Sequence, residues 1–411
     1  MHRKHGLLAT FVAAALFGTA ATYAAPPTTS VDVAAADNAF GFRLLNAVQK
    51  TIPRGNVVLS PVSAALDLSM ALNGASGQTR QEMLAALSLS GSEVAAINKA
   101  NARLIKTIRT PATGITLSVA NSLWVDSRRA TFQPDYVKRT HASYDAELAD
   151  LDFSDPRAVT RINNWASKET RGRIPTVIER IDPADVALLL NAVYFKGQWA
   201  QKFDKANTQQ RDFTLAGGTV KQVPRMMQSG RFDYFETPRM QAVRLSFGEA
   251  DLVMEVLLPA KSSSLDALEA ALTPGHWADW QEQYAPRPGK LELPRFELKS
   301  NYRLNGPLQT LGMTRAFQPD GAQLTSMFSS APGQPGAGRF FISSVLQSTY
   351  WKVDEEGSEA AAVTTTGVHA TALMRPEQPF QMIVDRPFFC ALVDQRSGAL
   401  LFVGIIYDPG A

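Results

Sequence analysis

Val353-Asp-Glu-Glu-Gly357-Ser-Glu-Ala-Ala-Ala-Val-Thr-Thr-Thr-Gly-Val-His-Ala-Thr371 does not read as an ordinary strand or an ordinary loop. Taken alternately, Ser358, Ala360, Ala362, Thr364, Thr366 and Val368 are small or β-branched and uncharged, while the other set holds Glu359 and His369. A strand puts such sets on opposite faces, so the segment is built to enter a sheet with the first set buried and the charges in water. Ala372-Leu-Met-Arg-Pro-Glu-Gln-Pro379 follows, with two prolines and no periodicity, which marks an exposed connection and opposes continuation as a central strand. Composition reads as strand and punctuation reads as loop. A long flexible surface loop and a strand held outside its sheet are both consistent with the segment by itself.

Outward from it, apolar runs at Phe388 to Val393 and Leu400 to Ile406 read as strands. So do Val345 to Val353, Leu291 to Leu298, Leu252 to Leu258 before Pro259, Val186 to Leu190 and Thr116 to Val125. The first third is helical. Ser60 caps a helix that Pro61 opens and Asn73-Gly74 ends, with Ala64, Leu66, Leu68 and Leu72 in its stripe. Thr79-Arg-Gln-Glu82 forms a capping box for a second helix through Leu87. A third runs from about Glu93 to Arg109, with Ile97, Ala100, Leu104 and Ile108 on one side. Helices first and strands later indicate an α+β fold with helices gathered around large sheets. There are no repeats and no mid-chain linker, so one domain over 37–411 is expected.

Met1-His-Arg-Lys-His5, the apolar stretch Leu7 to Ala20 and the small-x-small pattern Thr22-Tyr23-Ala24 form an export signal. The apolar stretch is short for a membrane anchor. Cleavage after Ala25 takes 25 of 411 residues and leaves 386, beginning with a Pro-rich tether over 26–36. A secreted protein of bacterial origin, extracellular or periplasmic, is therefore expected. Loss of Arg3 and Lys4 lowers Lys+Arg from 41 to 39 against 38 Asp+Glu, so nothing in the net charge points to nucleic acid. The single cysteine, Cys390, excludes an intrachain disulfide and sits in an apolar run that suits packing. His141, His276 and His369 are far apart and outside any metal-ligand spacing, and neither a G-x-S-x-G elbow nor a P-loop is present. No metal, cofactor or catalytic residue is expected, and the chain is read as no enzyme.

Several motifs in order carry a resemblance. Asn56-Val-Val-Leu-Ser60-Pro61-Val-Ser63, Asn191-Ala-Val-Tyr-Phe-Lys-Gly197-Gln-Trp199 with Phe203, and Leu293-Pro-Arg-Phe296 resemble segments of the serpins. Leu311-Gly-Met313 with Ala316-Phe317, Asp385-Arg-Pro-Phe388 with Gly404, and Val353-Asp-Glu-Glu-Gly357-Ser-Glu-Ala-Ala361 do so as well. The resemblance covers nearly all of the chain after the signal. It implies three β-sheets, eight or nine helices and an exposed reactive-centre loop at about 355–379. It also implies inhibition of serine endopeptidases, or of serine and cysteine endopeptidases, by suicide trapping: the loop is cut, an acyl-enzyme forms, and the cut loop enters the main sheet. A strand entering between two others gains roughly ten to twenty ladder bonds at about 1 kcal/mol net each. Ordering the loop leaves on the order of 5 to 10 kcal/mol of this. The alternative is a non-inhibitory serpin that binds or scaffolds, whose hinge would carry bulky, charged or proline residues on its inward face; Ser358, Ala360 and Ala362 are none of these.

Residue by residue, the resemblance makes Glu355, Glu356, Gly357, Ser358, Glu359, Ala360, Ala361 and Ala362 the hinge. It puts the reactive bond between Thr371 and Ala372, with Leu373 or Met374 as alternatives should the register slip. The small residues suit elastase-like or subtilisin-like proteases, and Leu373 or Met374 chymotrypsin-like ones. Trp199 covers the place where insertion begins, Glu355 faces Arg295, and Ser60, Ser63 and Asn191 form a polar cluster beneath the parting strands. Gln347 departs from the family, standing where many serpins carry histidine. Lys99, Arg103, Lys106 and Arg109 lie near one face of the third helix, a solvated face or a polyanion site. A monomer is expected, with a target protease as partner and no nucleic acid or membrane.

Overall fold

A computed structural model describes residues 30–109, 114–248, 251–331, 340–358 and 378–410. Among them the α-helices are α1 Val33–Gln49, α2 Pro61–Leu72, α3 Gly77–Ala86, α4 Val94–Ile108, α5 Pro134–Tyr144, α6 Arg157–Glu169, α7 Leu265–Ala271, α8 Pro274–Gln281 and α9 Asn305–Thr310. The strands are β1 Val57–Leu59, β2 Ile115–Asp126, β3 Ala130–Phe132, β4 Glu147–Leu151, β5 Ala187–Gln198, β6 Gln209–Thr214, β7 Val220–Thr237, β8 Met240–Ser246 and β9 Leu252–Pro259. They continue with β10 Ala285–Pro294, β11 Phe296–Arg303, β12 Phe328–Ser330, β13 Ser344–Val353, β14 Gly357–Ser358, β15 Phe380–Ile383, β16 Phe388–Asp394 and β17 Ala399–Ile406. These nine helices and three sheets are the expected α+β architecture.

A six-stranded sheet runs β11-β13-β5-β2-β4, with β14 on β5. A nine-stranded sheet runs β1-β17-β16-β9-β8-β7-β10-β15 with β6 on β7, and β3 pairs with β12. The apolar run Val186 to Leu190 reads as continuous because β5 is covered on both faces. Its Leu189, Val193 and Phe195 join the main core, while Leu188, Leu190, Ala192 and Tyr194 join a second core with Ile162 and Ala166 of α6. Every residue of α2 is buried against the main-core face, which explains its run of Ala, Ser and Leu.

Several expectations need correction. Residues 33–36, read as the end of a tether, are the first turn of α1, capped by the Asp32 side chain on Ala35 N at 3.0 Å. Thr79 does not begin a helix: α3 starts at Gly77, and its Gln78 N–H is satisfied by Gln323 Oε1 at 2.8 Å from a distant segment. Glu82 turns outward from the supposed box and accepts from Thr314 N at 3.0 Å and Arg315 N at 2.8 Å. The run Leu291 to Leu298 is two strands in different sheets, broken at Arg295, whose N–H bonds the Pro224 carbonyl at 3.0 Å. A run that is apolar throughout hides such a corner. The expected signal peptide lies outside the described residues, as do Glu359, Ala360, Ala361, Ala362 and the reactive-bond positions Thr371, Ala372, Leu373 and Met374.

Candidate functional site at the hinge

β13 and β5 run parallel and pair from Ser344 opposite Leu188 to Tyr350 opposite Tyr194. Beyond Tyr194 the two strands no longer pair with each other. At Gly197 and Gln198, β5 instead takes up β14, antiparallel, with Gly357 opposite Gln198 and Ser358 opposite Gly197. The chain therefore leaves β13 by a tight turn and starts back down as a new strand on β5.

The turn is Asp354 to Gly357. Asp354 N bonds the Gly357 carbonyl at 2.8 Å, Gly357 N bonds the Asp354 carbonyl at 3.1 Å, and Glu356 N bonds Asp354 Oδ1 at 3.0 Å. Gly357 has φ +131°. A Cβ there would lie 2.7 Å from Trp199 N and 2.8 Å from Gln198 Cα. Only glycine fits the backbone and the space.

Trp199 lies over this turn. Its indole N–H donates to the Asp354 carbonyl at 2.8 Å and its backbone N–H to the Glu356 carbonyl at 3.0 Å. The ring stacks on Phe247 at 4.3 Å. Glu355 is buried, accepts from Thr208 Oγ1 at 2.6 Å, and has Arg295 Nη1 at 3.6 Å from the same oxygen. Glu356 is bonded by Lys202 Nζ at 2.8 Å and Lys205 Nζ at 3.0 Å. The bonds from Lys202 and then Lys205 hold its carboxyl below the usual range. Lys352 adds a contact to Asp354 at 3.1 Å. Sequence reading missed Lys202, Lys205, Lys352 and Thr208, whose types fit any solvated loop.

Further down the β5–β13 seam, Gln347, Asn191 and Asn121 stand opposite one another on three adjacent strands. Gln347 closes a two-bond clasp on the start of α2: Ser60 N donates to its Oε1 and its Nε2 donates to the Ser60 carbonyl, both at 3.0 Å. Ser63 Oγ donates to Asn121 Oδ1 at 3.3 Å. Ser60 and Ser63, at the start of α2, thus bond Gln347 and Asn121 of the strands, and Asn191 stands between those two amides on β5; Asn121 is the one the sequence did not single out. The Gln347 clasp uses main-chain groups, so it needs no protonation state.

On α4, Lys99, Arg103 and Lys106 are exposed. Arg109 is exposed too and donates to Asp145 at 2.7 Å and to the Val119 carbonyl at 3.1 Å. Cys390 is fully buried, and burial pushes its thiol well above the ordinary value.

The family model for serpins, serine protease inhibitors, matches residues 35–409. Iripin-2 of Ixodes ricinus is 32% identical over 376 residues, covering 90% of this chain and 91% of its own. The leukocyte elastase inhibitor of Sus scrofa is 32% identical over 394 residues, covering 92% and 99%. Among solved structures, the native state of the thermophilic serpin tengpin matches with a TM-score of 0.84 at 26% identity, covering 94% of this chain and 96% of tengpin. Thyroxine-binding globulin in complex with thyroxine matches in fold, with a TM-score of 0.82 at 22% identity over 93% of this chain and all of that one.

Proposed function

Since the chain belongs to the serpin family, we propose that it inhibits endopeptidases of the serine class by letting its loop be cut and then drawing the cut loop into the β5–β13 seam. The observation that supports this is the start of β14 on β5, which already sets direction and register. Continued at that register, Glu359 comes opposite Lys196, Ala360 opposite Phe195, Ala362 opposite Val193 and Thr364 opposite Asn191. Phe195 and Val193 face the main core, so the small uncharged set enters the buried side and Glu359 meets a cation. One slanted parallel ladder would be replaced by two antiparallel ones, the better-paired kind.

Small Ala370-Thr371-Ala372 suits elastase-like or subtilisin-like pockets, and Leu373 or Met374 chymotrypsin-like ones. The export signal on residues 1–25 places protein and target outside the cytoplasm on this reading, with the inhibitor acting as a monomer. The test is incubation with pancreatic elastase, subtilisin and chymotrypsin, followed by denaturing electrophoresis and a melt of the cut form. A complex that survives denaturation, together with a cut form melting well above the intact one, is the expected result. Cleavage with neither would leave a non-inhibitory serpin.

A further inference from the structure

Asp67 is a carboxylic acid in the middle of α2, fully buried in a helix whose other eleven residues are Pro, Val, Ser, Ala, Leu and Met. Neither of its oxygens has a hydrogen-bond partner within ordinary length, and the same holds for both polar atoms of the Asn191 amide. The two groups face each other: burial drives the Asp67 carboxyl well above the usual range, and Asn191 draws it back only in part. In the row of three amides, the outer two are bonded to residues 60 and 63, at the start of α2, and the middle one meets the acid.

We propose that Asp67 is a positioning residue for opening of the sheet, acting through Asn191: with its proton on, it keeps the β5–β13 seam closed, and losing the proton loosens the seam. A neutral acid is tolerated in a buried site, whereas a carboxylate without a cation there is costly. Parting β5 from β13 separates Asn191 from Gln347 and opens the site to water or to the polar groups of an entering strand. Ionisation therefore favours the opened sheet. The inference rests on the seam being the line along which the sheet opens.

The neighbouring groups supply no counter-charge. From α5, Tyr136 donates to the Met70 carbonyl at 3.2 Å and is itself held neutral by burial, with Arg139 acting on that phenol. On α1 the buried acid is Asp37, pushed up by burial and then by Asp32, and the group it acts on is Tyr144. From α4, Asn98 and Asn101 bond Tyr144. On α3, Arg80 is bonded to the Ala75 carbonyl and Glu82 to Thr314. Among the sheet strands, β17 has no titratable residue, Asp126 of β2 is paired with Arg128, Tyr194 of β5 lies in the other core, and Lys196 of β5 alternates onto that same side of the sheet.

The sign follows from linkage. An acid raised in the folded state contributes stability below its unfolded pKa, and that contribution is lost as pH rises toward the folded value. The protein and its Asp67→Asn variant are compared in urea unfolding from about pH 4 to about pH 9. The wild-type unfolding constant should rise against that of the variant by up to about tenfold per pH unit from about pH 4 upward. The infrared band of a protonated carboxyl should be weaker in the variant. Asn191→Ala, which keeps the acid and removes the amide, should move the profile to higher pH. Rates of protease trapping should climb with pH in the wild type relative to Asp67→Asn. Identical pH profiles in unfolding would overturn the proposal. Trapping with one common pH dependence would overturn the positioning role and leave the inhibitory reading intact. The unfolding and infrared differences without trapping at any pH would keep the buried acid's effect on the closed fold and overturn its role in inhibition.

Discussion

Glu355 and Thr208 are joined by a 2.6 Å hydrogen bond that ties the turn leaving β13 to the chain beyond β5, and Arg295 stands 3.6 Å from the same carboxylate oxygen. Glu355→Lys would put a buried cation beside Arg295 and leave Thr208 without its acceptor. A loss of about 2–4 kcal/mol of native stability is expected, read as a lower melting temperature, while Glu355→Gln keeps an acceptor and should lose about 1. Equal melts for the lysine variant and the wild type would show that the tie holds nothing.

Gly357→Ala tests the pivot. A methyl at φ +131° meets the Gly197 carbonyl and Trp199 N, so β14 cannot keep its place on β5. The strain amounts to about 1–2 kcal/mol. The variant should turn from trap into substrate, with more inhibitor molecules cut per protease captured. An unchanged ratio would mean that the hinge does not pivot at this residue.

Trp199→Phe keeps an aromatic ring over Phe247 and removes the indole N–H that reaches the Asp354 carbonyl, together with part of the buried ring volume. Loss of one buried donor leaves that carbonyl short of a partner, which is worth about 1–2 kcal/mol. Hydrogen exchange at the Gly357 amide, whose partner is the same Asp354 carbonyl, should speed up. No change there would detach Trp199 from the turn.

The turn at Asp354 to Gly357 was legible in the sequence where the pattern is local, and less so where partners lie far apart in the chain. Small uncharged residues alternating after Gly357 announce a strand, and β14 starts as one. Lys202 and Lys205 carry no local mark, because what they hold is Glu356, more than 150 residues away. Gln323 as the cap of α3 is invisible for the same reason. Asp67 did carry a signal: a lone acid inside Ala-Ala-Leu-Asp67-Leu-Ser-Met-Ala is out of keeping with a helix that is otherwise apolar or small.

Glu356 gives the turn its own pH dependence, opposite in sign to that of Asp67. Its carboxyl is depressed by Lys202 and Lys205, so the stabilisation is present above its unfolded pKa, near 4, and is lost as pH falls through the lower folded value. Lys202→Ala should raise the Glu356 titration midpoint seen by carbon NMR more than Lys205→Ala does, since Lys205 is 67% exposed and screened. A midpoint insensitive to both changes would remove the clamp.

On the proposed reading, the reactive bond falls between Thr371 and Ala372. Sequencing the small fragment freed on denaturing a trapped complex should give Ala-Leu-Met-Arg as its amino terminus. A start at Met374 would mean cleavage after Leu373, and a start at Arg375 cleavage after Met374; either would move the specificity toward chymotrypsin-like enzymes.

β1 pairs with β17, and just before it Asn56 binds the backbone around Asp408, 352 positions further along the chain. During synthesis, α1 and α2 emerge from the ribosome long before the strand that must cover them exists. Most of the polypeptide has to wait, with its core half-built and its edges open, until the last segment arrives. A stop codon or a slow stretch shortly before residue 399 would therefore expose nearly the whole chain to proteolysis and misassembly, however well its earlier helices had formed.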